Sequence, residues 1–427
     1  MQQSQFIHPT YAESFRCIGS ACEDTCCKGW TVVVDREANE KYQRLPASPL
    51  RTLISANVVF TPKSPDGGEP ARFATMRMSD SNQCPLLSEN GLCRIQTEYG
   101  EQLLPSTCAT YPRVVHSIDT VEEKALALSC PEAARLVLLN PDLLNASHRT
   151  IKEPPKNQLE EGDALKGTRS LQRWFLPIRE SVLALVRNRV YPLWQRVFLI
   201  GILCRQLDMI ATEAETSIPA FLRDFEATVT SGTLLTAMDA IPVNPGRQLD
   251  VVLKLAGMLL QQSNVSPRFA ECIRAFTAGI GNGPGATFES LTEHYILAHE
   301  RFYAPFFERH PHILENYLIN TIFRCQFPFG REGMRPDATP SMTREYVQLT
   351  AQFALMKGLL IGVAGFHGEM FSTGHVVHTV HTASKHFEHH SEFLSQAHAL
   401  LVESQMDGPG GSAILLRNAV PAPNGNT

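Results

Sequence analysis

Apolar residues recur every three or four positions through the second half of the chain, which is the spacing of one face of an α-helix. The pattern starts at Leu171 and is clear in Trp174, Ile178, Val182 and Leu185. No alternation of strand and helix patterns appears in this half, so the sequence predicts an all-α body. Further helical patterns cover residues 198–210, 247–262, 267–278, 287–326, 342–361 and 385–405.

The first 135 residues differ, because turn-forming residues and cysteines replace the helical pattern. The β-branched run Thr31–Val34 predicts a short strand, and Thr61–Gly68 predicts a polar loop. The fold class predicted for the whole chain is therefore mainly α, with an irregular cysteine-rich metal-binding N-terminal module followed by an all-α helical body.

Two polar stretches set the predicted boundaries. Residues 145–168 contain Pro154-Pro155, which cannot continue a helix, so a linker or surface loop is expected there. The end of the chain is rich in Gly, Pro and Asn and offers too little apolar surface to offset its ordering entropy. The predicted units are a metal-binding module at 1–135, an α-helical domain at 136–405 and a disordered tail at 406–427.

Charge and hydropathy narrow the location and the partners. The chain has 427 residues and a formal charge of −5, and no block of Lys and Arg suited to neutralising phosphates, so nucleic acid is not an expected partner. The N-terminus lacks a basic and apolar leader, and the uninterrupted apolar runs fall short of the ~18 residues of a membrane span. We expect a cytoplasmic protein that does not bind membranes; the oligomeric state is left open.

Cysteine distribution is the strongest signal in the sequence. The chain has 11 cysteines, and clustered thiols in a reducing compartment more often hold metal than form disulfides. Three of them, Cys204, Cys272 and Cys325, stand alone on predicted helices, where buried inert thiols are expected. The other eight lie in the first 130 residues and are the candidate metal ligands: Cys17, Cys22, Cys26, Cys27, Cys84, Cys93, Cys108 and Cys130.

The spacing of these eight cysteines favours one kind of metal centre. The first four follow a C-x4-C-x3-C-C pattern, and the paired C-x2-C knuckles typical of zinc are missing. Iron–sulfur clusters usually take four Cys ligands, so an iron–sulfur site is favoured and zinc is the alternative. Eight incidental thiols, or a disulfide network, are the weaker interpretations. Which four cysteines would ligate a cluster is left open.

Five runs of the sequence carry a family resemblance: Phe15–Trp30, Cys84–Cys93, Cys108–Arg113, Ser129–Leu136 and Leu314–Phe329. Together they resemble the flagellin lysine-N-methylase family. The first cysteine run is shared with a wider group of zinc- or iron-chelating proteins, and the last run is the one that favours the methylases. The resemblance implies a methyltransferase that uses S-adenosylmethionine, binds a [4Fe-4S] cluster and methylates lysine side chains of flagellin, a protein of the bacterial flagellum.

The residues themselves do not disclose how a methyl donor binds. The glycine-rich run Gly279–Gly285 follows a helical pattern, so it is expected to be a helix-terminating loop and not a nucleotide-binding turn. The radical S-adenosylmethionine spacing C-x3-C-x2-C is approached at Cys22 and Cys26 but fails at Gly29. Arg113 is a candidate to pair with the carboxylate of the donor.

Methyl transfer to lysine requires a neutral amine, so some group must remove a proton or lower the pKa of the amine. The candidates near the cysteines are Glu23, Asp24, Asp35 and Tyr111, each more often structural, and no catalytic residue is assigned. A histidine-rich stretch is expected to form a partly exposed polar face in preference to a metal site. It contains His367, His375, His378, His381, His386, His389 and His390.

The sequence therefore predicts a methyltransferase that modifies lysines of flagellin. Two rival hypotheses stay open: a redox or radical enzyme in which a cluster carries electrons, and a non-enzymatic metal-binding or interaction protein in which the cysteines only fold the domain.

Overall fold

The computed structural model describes residues 6–62, 72–118, 121–144, 148–151, 171–213, 215–262, 265–335, 338–388 and 391–418. Most of the predicted polar loop at 61–68 and of the predicted linker at 145–168 lies outside the described residues. The described chain is mostly helical, with short strands in its N-terminal part. This confirms the mainly α prediction; metal binding by the N-terminal part stays a prediction.

The N-terminal part combines short helices with small antiparallel sheets. Its elements are β1 (Phe6–Pro9), β2 (Val33–Val34), α1 (Arg36–Arg44), α2 (Pro49–Asn57), β3 (Val58–Phe60), β4 (Ala74–Met76), α3 (Arg94–Tyr99), α4 (Ser106–Thr110), β5 (Arg113–Ile118), β6 (Val121–Leu126), α5 (Pro131–Leu138) and β7 (His148–Ile151). Among the described residues these strands form three sheets, with the orders β1-β7, β2-β4-β3 and β5-β6.

Two of these strands bear on the predictions. The run Thr31–Val34 does contain a strand at Val33–Val34, which pairs with Ala74 and Thr75 of β4. The predicted linker was expected to be irregular, but His148–Ile151 pairs with Phe6–Pro9 in an antiparallel sheet. That part of the linker prediction is wrong, because pairing with a strand more than 130 residues away has no local signal in the sequence.

A small core holds residues 32–108 together. Its helices start at side-chain caps: Asp35 accepts a hydrogen bond from Ala38 N (2.8 Å), and Ser48 from Arg51 N (3.2 Å). The buried members of this core are Val32, Val34, Ala38, Tyr42, Leu45, Leu50, Ile54, Ala74, Met76, Cys84, Leu86 and Ile95.

The second half consists of helices throughout its described residues. A π-helical turn, His299–Tyr303, joins the second and third of the helices that begin after residue 260. The helices are α6 (Phe175–Arg187), α7 (Leu193–Glu213), α8 (Ile218–Thr230), α9 (Leu234–Asp239), α10 (Pro245–Leu260), α11 (Pro267–Gly279), α12 (Phe288–Ala298), α13 (Ala304–Arg309), α14 (His312–Arg324), α15 (Gly330–Gly333), α16 (Met342–His367), α17 (Thr373–Phe387), α18 (Ser391–Glu403) and α19 (Pro409–Leu416).

Helix α16 is the centre of the helical body. The stretch Met342–Met370 is long and apolar enough to cross a membrane by length and composition, with a mean hydropathy of 1.5, but 89% of its most apolar part is buried inside the protein. Burial on all sides is the pattern of a core helix. Helix α11 packs very close to it, since a Cβ on Gly279 would lie 1.8 Å from the carbonyl oxygen of Gly362.

The glycine-rich run after α11 is a helix-terminating loop, as predicted. Helix α11 ends at Gly279, and Gly281 and Gly285 adopt φ of +74° and +81°, which glycine tolerates best. The run therefore closes a helix, and the close approach of Gly279 to α16 gives that glycine a packing role.

The large core extends into the N-terminal part. It includes Tyr11, Phe15, Leu126, Val137 and Leu144 together with the helical body. The buried ion pair between Arg179 of α6 and Glu123 of β6 joins the two parts through contacts of 2.7 Å. The predicted division at residue 135 is not tested by these contacts and stays a prediction.

The prediction of a disordered tail from residue 406 is wrong as far as Asn418. Pro409–Leu416 forms α19, whose Ala413, Leu415 and Leu416 are buried. Gly408 precedes Pro409 at the start of the helix, and an apolar AILL run follows, so the Gly- and Pro-rich composition marks a helix start here. Residues 419–427 lie outside the described residues.

Candidate functional site

Five cysteines from four separate segments line one cavity: Cys26, Cys27, Cys84, Cys93 and Cys108. The rest of the lining is apolar or aromatic apart from Gln96. It consists of Trp30, Val32, Tyr42, Met76, Leu86, Ile95, Gln96, Leu104, Pro105 and Tyr111. The sequence predicted that the fold would bring distant cysteine segments together, and for these five it does.

Backbone hydrogen bonds bring the first cysteine pair to the others. Cys84 N donates to the carbonyl of Cys27 (2.8 Å), and Gly29 N donates to the carbonyl of Asn82 (3.0 Å). Gly29 has φ +89°, so the chain turns back there at little steric cost. These contacts pair the segment after Cys27 with the segment before Cys84.

Short helices position the other two cysteines. Cys93 is the N-cap residue of α3, and Cys108 lies within α4. The carboxylate of Asp35 caps α1 and also accepts a hydrogen bond from Ser106 N at the start of α4 (2.7 Å). Asp35, a candidate base in the sequence, therefore has a structural role in holding the helix of Cys108.

The thiols influence one another within the cavity. Hydrogen bonding from Cys27 lowers the pKa of Cys26 to about 7 and the pKa of Cys93 to about 6, and these same contacts raise the pKa of Cys27. Burial raises the pKa of Cys84 to about 11 and that of Cys108 further. At neutral pH the cavity therefore combines thiols that ionise readily with thiols that stay protonated.

The chemistry of this donor set fits a thiophilic metal. Among the described residues that line the cavity there is no carboxylate and no histidine, and thiolates in an apolar surrounding select zinc or iron–sulfur clusters. As the described side chains stand, however, no group of three or more His, Cys, Asp or Glu residues has its donor atoms placed to hold an ion. Zinc and a cluster both remain open, and metal ligation stays a prediction.

The other three predicted ligands do not line this cavity. Cys130 is the N-cap residue of α5, and burial, with smaller contributions from Cys22 and Cys26, raises its pKa to about 12. Burial likewise raises the pKa of Cys22. Cys17 is exposed, and its sulfur accepts a long hydrogen bond from Gly19 N (3.5 Å). The structure thus brings five of the eight cysteines to one cavity and leaves three beside it.

Two aromatic residues border the cavity. The rings of Trp30 and Tyr111 lie 5.1 Å apart, and Trp30 donates from Nε1 to the carbonyl of Cys26. The hydroxyl of Tyr111 hydrogen-bonds to Ser129 Oγ (3.2 Å), and burial raises its pKa well above 10, so it is a neutral phenol. Tyr111 therefore connects the cavity to the segment before Cys130.

The described contacts of Arg113 are with Phe15 and not with the cavity thiols. It donates to the carbonyl of Phe15 (2.9 Å), and its guanidinium stands 5.2 Å from the centre of the Phe15 ring. Its proposed role toward the carboxylate of a methyl donor stays a prediction.

The helical body contacts the chain just before Cys26. Lys385 of α17 donates to Asp24 Oδ2 and to the carbonyl of Thr25, both at 3.0 Å. The carboxylate of Glu23 pairs with Arg135 of α5. Glu23 and Asp24, both candidate bases, are therefore held in ion pairs. The sequence pointed to neither basic partner, because a single lysine or arginine on a helix is too common to be a signal.

The histidine-rich stretch is more buried than predicted. His381 is fully buried, and both its ring nitrogens lack a hydrogen-bond partner among the described residues; burial lowers its pKa to about 4. His386 is buried and contacts Ser266, whereas His367 and His375 stack at 3.7 Å. The expectation of a partly exposed face is wrong for His381 and His386, because α17 packs against other elements on several sides. His389 and His390 lie outside the described residues.

Of the three isolated cysteines, Cys204 and Cys272 are buried as predicted, whereas Cys325 is only partly buried. Cys204 and Cys272 are buried within α7 and α11, and Cys325 lies at the end of α14. Burial raises the pKa of all three thiols. None of the three lines the cysteine cavity.

Comparison with known proteins identifies the family. Residues 179–415, more than half of the chain, match the FliB lysine N-methylase C-terminal domain. The chain belongs to the FliB lysine N-methylase family. The matched region includes Lys385 of α17. The cavity cysteines all precede the matched region. This membership confirms the family that the sequence motifs indicated.

Named relatives agree with the family. The lysine-N-methylases of Salmonella typhimurium and Salmonella choleraesuis are each 30% identical over 152 residues, covering 35% of this chain and 37% of those proteins. The flagellar biosynthetic protein FliU of Salmonella muenchen is 30% identical over 145 residues, covering 34% of this chain and 83% of that protein. The alignment thus spans little more than a third of the two lysine-N-methylases. No solved structure matches the chain.

Proposed function

We propose that the chain is a cytoplasmic protein-lysine N-methyltransferase that uses S-adenosylmethionine and modifies lysine side chains of flagellin. The observation that carries the proposal is the five-cysteine cavity attached to a FliB-type helical body. The names of the relatives, lysine-N-methylase and flagellar biosynthetic protein, support methylation of lysine in a flagellar setting.

The proposed reaction is a polar transfer. The lone pair of a neutral lysine amine attacks the methyl carbon of the sulfonium; a C–N bond forms, the C–S bond breaks and S-adenosylhomocysteine leaves. The amine nitrogen then loses one proton to water or to a base of the protein. Because an ammonium has no lone pair, the substrate lysine must be deprotonated before attack.

The cavity is the proposed metal centre. Cys26, Cys27, Cys84, Cys93 and Cys108 would supply the ligands, and the apolar side chains around them would limit water. Cysteines of this set would hold a [4Fe-4S] cluster, and the cluster would supply an anchoring point for the methyl donor. Burial keeps the thiols of Cys84 and Cys108 protonated, so loading a metal must release protons.

The test is the mass of flagellin produced with and without this chain. Each methyl group adds about 14 Da to a lysine-containing peptide. We expect the addition with the unmodified chain and its loss with Cys108→Ala, while Cys325→Ala, which removes a thiol outside the cavity, keeps both activity and metal. Flagellin that stays unmethylated would leave a non-enzymatic or redox role. Iron, sulfide and zinc assays on anaerobically purified protein decide between the two metals.

A further inference from the structure

One lysine of the helical body contacts the segment that carries Cys26 and Cys27. We call this segment, residues 24–29, the cysteine loop. Lys385 lies near the C-terminal end of α17, and its ammonium contacts both Asp24 Oδ2 and the carbonyl oxygen of Thr25 at 3.0 Å. These two residues immediately precede Cys26 and Cys27. A single side chain from the C-terminal domain therefore fixes the backbone and a side chain at the entry of the loop.

The contact is sheltered from solvent. The Lys385 side chain is 13% exposed and that of Asp24 is 17% exposed, so water screens this pair less than an exposed ion pair. The lysine stem also passes close to Gly29, where a Cβ would lie 3.5 Å from Lys385 Cε. The loop thus meets the lysine at Asp24, Thr25 and Gly29.

The two ends of the loop are held by different parts of the molecule. Beyond Cys27, hydrogen bonds join Cys27 and Gly29 to Cys84 and Asn82 of the small core. Immediately before Cys26, Asp24 and Thr25 are bound by Lys385 of α17, which belongs to the helical body. The position of Cys26 and Cys27 depends on both attachments.

Two other basic residues contact the same region. Arg268 of α11 donates to the carbonyl of Glu23, and Arg135 of α5 pairs with the Glu23 carboxylate. The side chains of Arg135 and Glu23 are 36% and 33% exposed, so that pair is more screened than the one at Lys385. The Lys385 side chain, at 13% exposed, is more buried than that of Arg135.

We propose that Lys385 is a positioning residue that sets Cys26 and Cys27 in place in the cysteine cavity, so that the C-terminal domain completes the site. The proposal rests on the proposed function only in treating this cavity as the metal centre. Lys385 acts through Asp24 and Thr25 and touches no reacting atom.

The test compares Lys385→Met, Lys385→Arg and the control Lys254→Met in the full chain. Lys254 forms an exposed ion pair with Asp250 on α10 and does not line the cysteine cavity. Two readouts do not depend on methylation: the metal content and visible absorption of the purified protein, and the rate of tryptic cleavage after Lys28 within the loop. We expect Lys385→Met to lose most of the metal and to be cleaved at least several-fold faster. Lys385→Arg should restore the metal content and the slow cleavage of the wild-type protein.

Asp24→Asn is the second variant, because it removes the charge from the loop and leaves α17 unchanged. It should reproduce the metal loss and the faster cleavage even if Lys385→Met fails to fold. Unchanged metal and cleavage in Asp24→Asn, or a Lys385→Arg protein that behaves like Lys385→Met, would overturn the proposal. The wild-type protein could bind metal without methylating flagellin. If Lys385→Met then loses that metal, the result supports the positioning role and refutes only the proposed function.

Discussion

The side chain of Asn320 on α14 satisfies both backbone polar groups of Leu126 on β6. Asn320 Nδ2 donates to Leu126 O (2.8 Å), and Asn320 Oδ1 accepts from Leu126 N (3.1 Å) and from the hydroxyl of Tyr11 (2.8 Å). Asn320 is fully buried. The amide of Asn320 therefore attaches the β5-β6 hairpin and the segment of Tyr11 to the helical body. Asn320 lies within the Leu314–Phe329 run that carries the family resemblance.

We expect Asn320→Ala to destabilise the protein strongly. The substitution leaves the N–H and C=O of Leu126 and the hydroxyl of Tyr11 buried without their partner, which costs about 3 kcal/mol or more. Urea unfolding should show this loss, whereas Asn282→Ala, at an exposed loop position, should change stability by less than about 0.5 kcal/mol. Equal stability of the two variants would show that the Asn320 contacts are not needed.

The buried pair of Glu123 and Arg179 makes a second prediction. Both side chains are 2% exposed, and two contacts of 2.7 Å join them in a bidentate arrangement. Glu123→Gln leaves the Arg179 charge buried without its counter-charge, so a loss of about 3 to 5 kcal/mol is expected. The matched control is Glu122→Gln on the same strand, whose side chain is 58% exposed. A melting temperature as little changed by Glu123→Gln as by Glu122→Gln would contradict this.

The cavity thiols should differ in reactivity in metal-free protein. Cys93 and Cys26 have pKa values lowered to about 6 and about 7 by hydrogen bonding from Cys27, while burial raises the pKa of Cys84 to about 11. Because the thiolate is the nucleophile, chelator-treated folded protein at pH 7 should be alkylated first at Cys93 and Cys26.

Peptide mass analysis after short exposure to iodoacetamide measures the order of alkylation. Cys272, which is buried and has a pKa raised to about 11, is the internal control and should react slowly. Labelling of Cys84 as fast as Cys93 would contradict the predicted order. Untreated protein that carries metal should be protected at the cavity cysteines and unchanged at Cys272.

Much of this organisation could be read from local patterns in the sequence. Helices α10 and α11 start at Asn244-Pro245 and Ser266-Pro267, where a side chain caps the helix and proline follows. The helical spacing of their apolar residues predicts the remainder of each helix. Cysteine spacing likewise indicated a shared site. These signals depend only on neighbouring residues, so they can be recognised without knowing the fold.

The parts that could not be predicted depend on distant contacts. Which of the eight cysteines share the cavity depends on how Cys84, Cys93 and Cys108 pack on the first segment, and no spacing rule sets that. Lys385 reaches Asp24 across 361 positions. Helix α19 was missed because its Gly- and Pro-rich start resembles a disordered tail, and its helical state depends on burial of Leu415 and Leu416.

Removing α19 should therefore destabilise the chain. Gln248 of α10 donates to the carbonyls of Ile414 and Arg417, and Leu415 and Leu416 are buried in the large core. A chain ending at Asp407 should lose about 3 kcal/mol or more from these apolar residues alone. A chain ending at Asn418 keeps every described contact and is the control. Equal thermal unfolding of the two truncated chains would show that α19 contributes nothing.

Lys357 makes the stability of this region depend on pH. It is a buried residue of α16 that donates to the carbonyl of Leu416 and to the side chain of Asn418, and burial lowers its pKa from 10.5 to about 7. The neighbouring His299 has a pKa lowered to about 3 by burial and stays neutral at higher pH. A neutral lysine amine still has two hydrogens, enough for both acceptors.

The direction of the pH effect follows from proton binding. Between pH 7 and 10.5 the unfolded chain binds a proton at Lys357 that the folded protein has lost, so this residue makes stability rise with pH across that window. Below pH 7 the full cost of burying the charge is present. Lys357→Met removes this contribution, so the stability of wild type relative to the variant should improve by on the order of 3 kcal/mol between pH 7 and pH 9.5. Urea unfolding at both pH values measures it, with the exposed Lys254→Met as control. A wild-type minus Lys357→Met difference that stays constant with pH would show that Lys357 keeps an ordinary pKa in the folded protein.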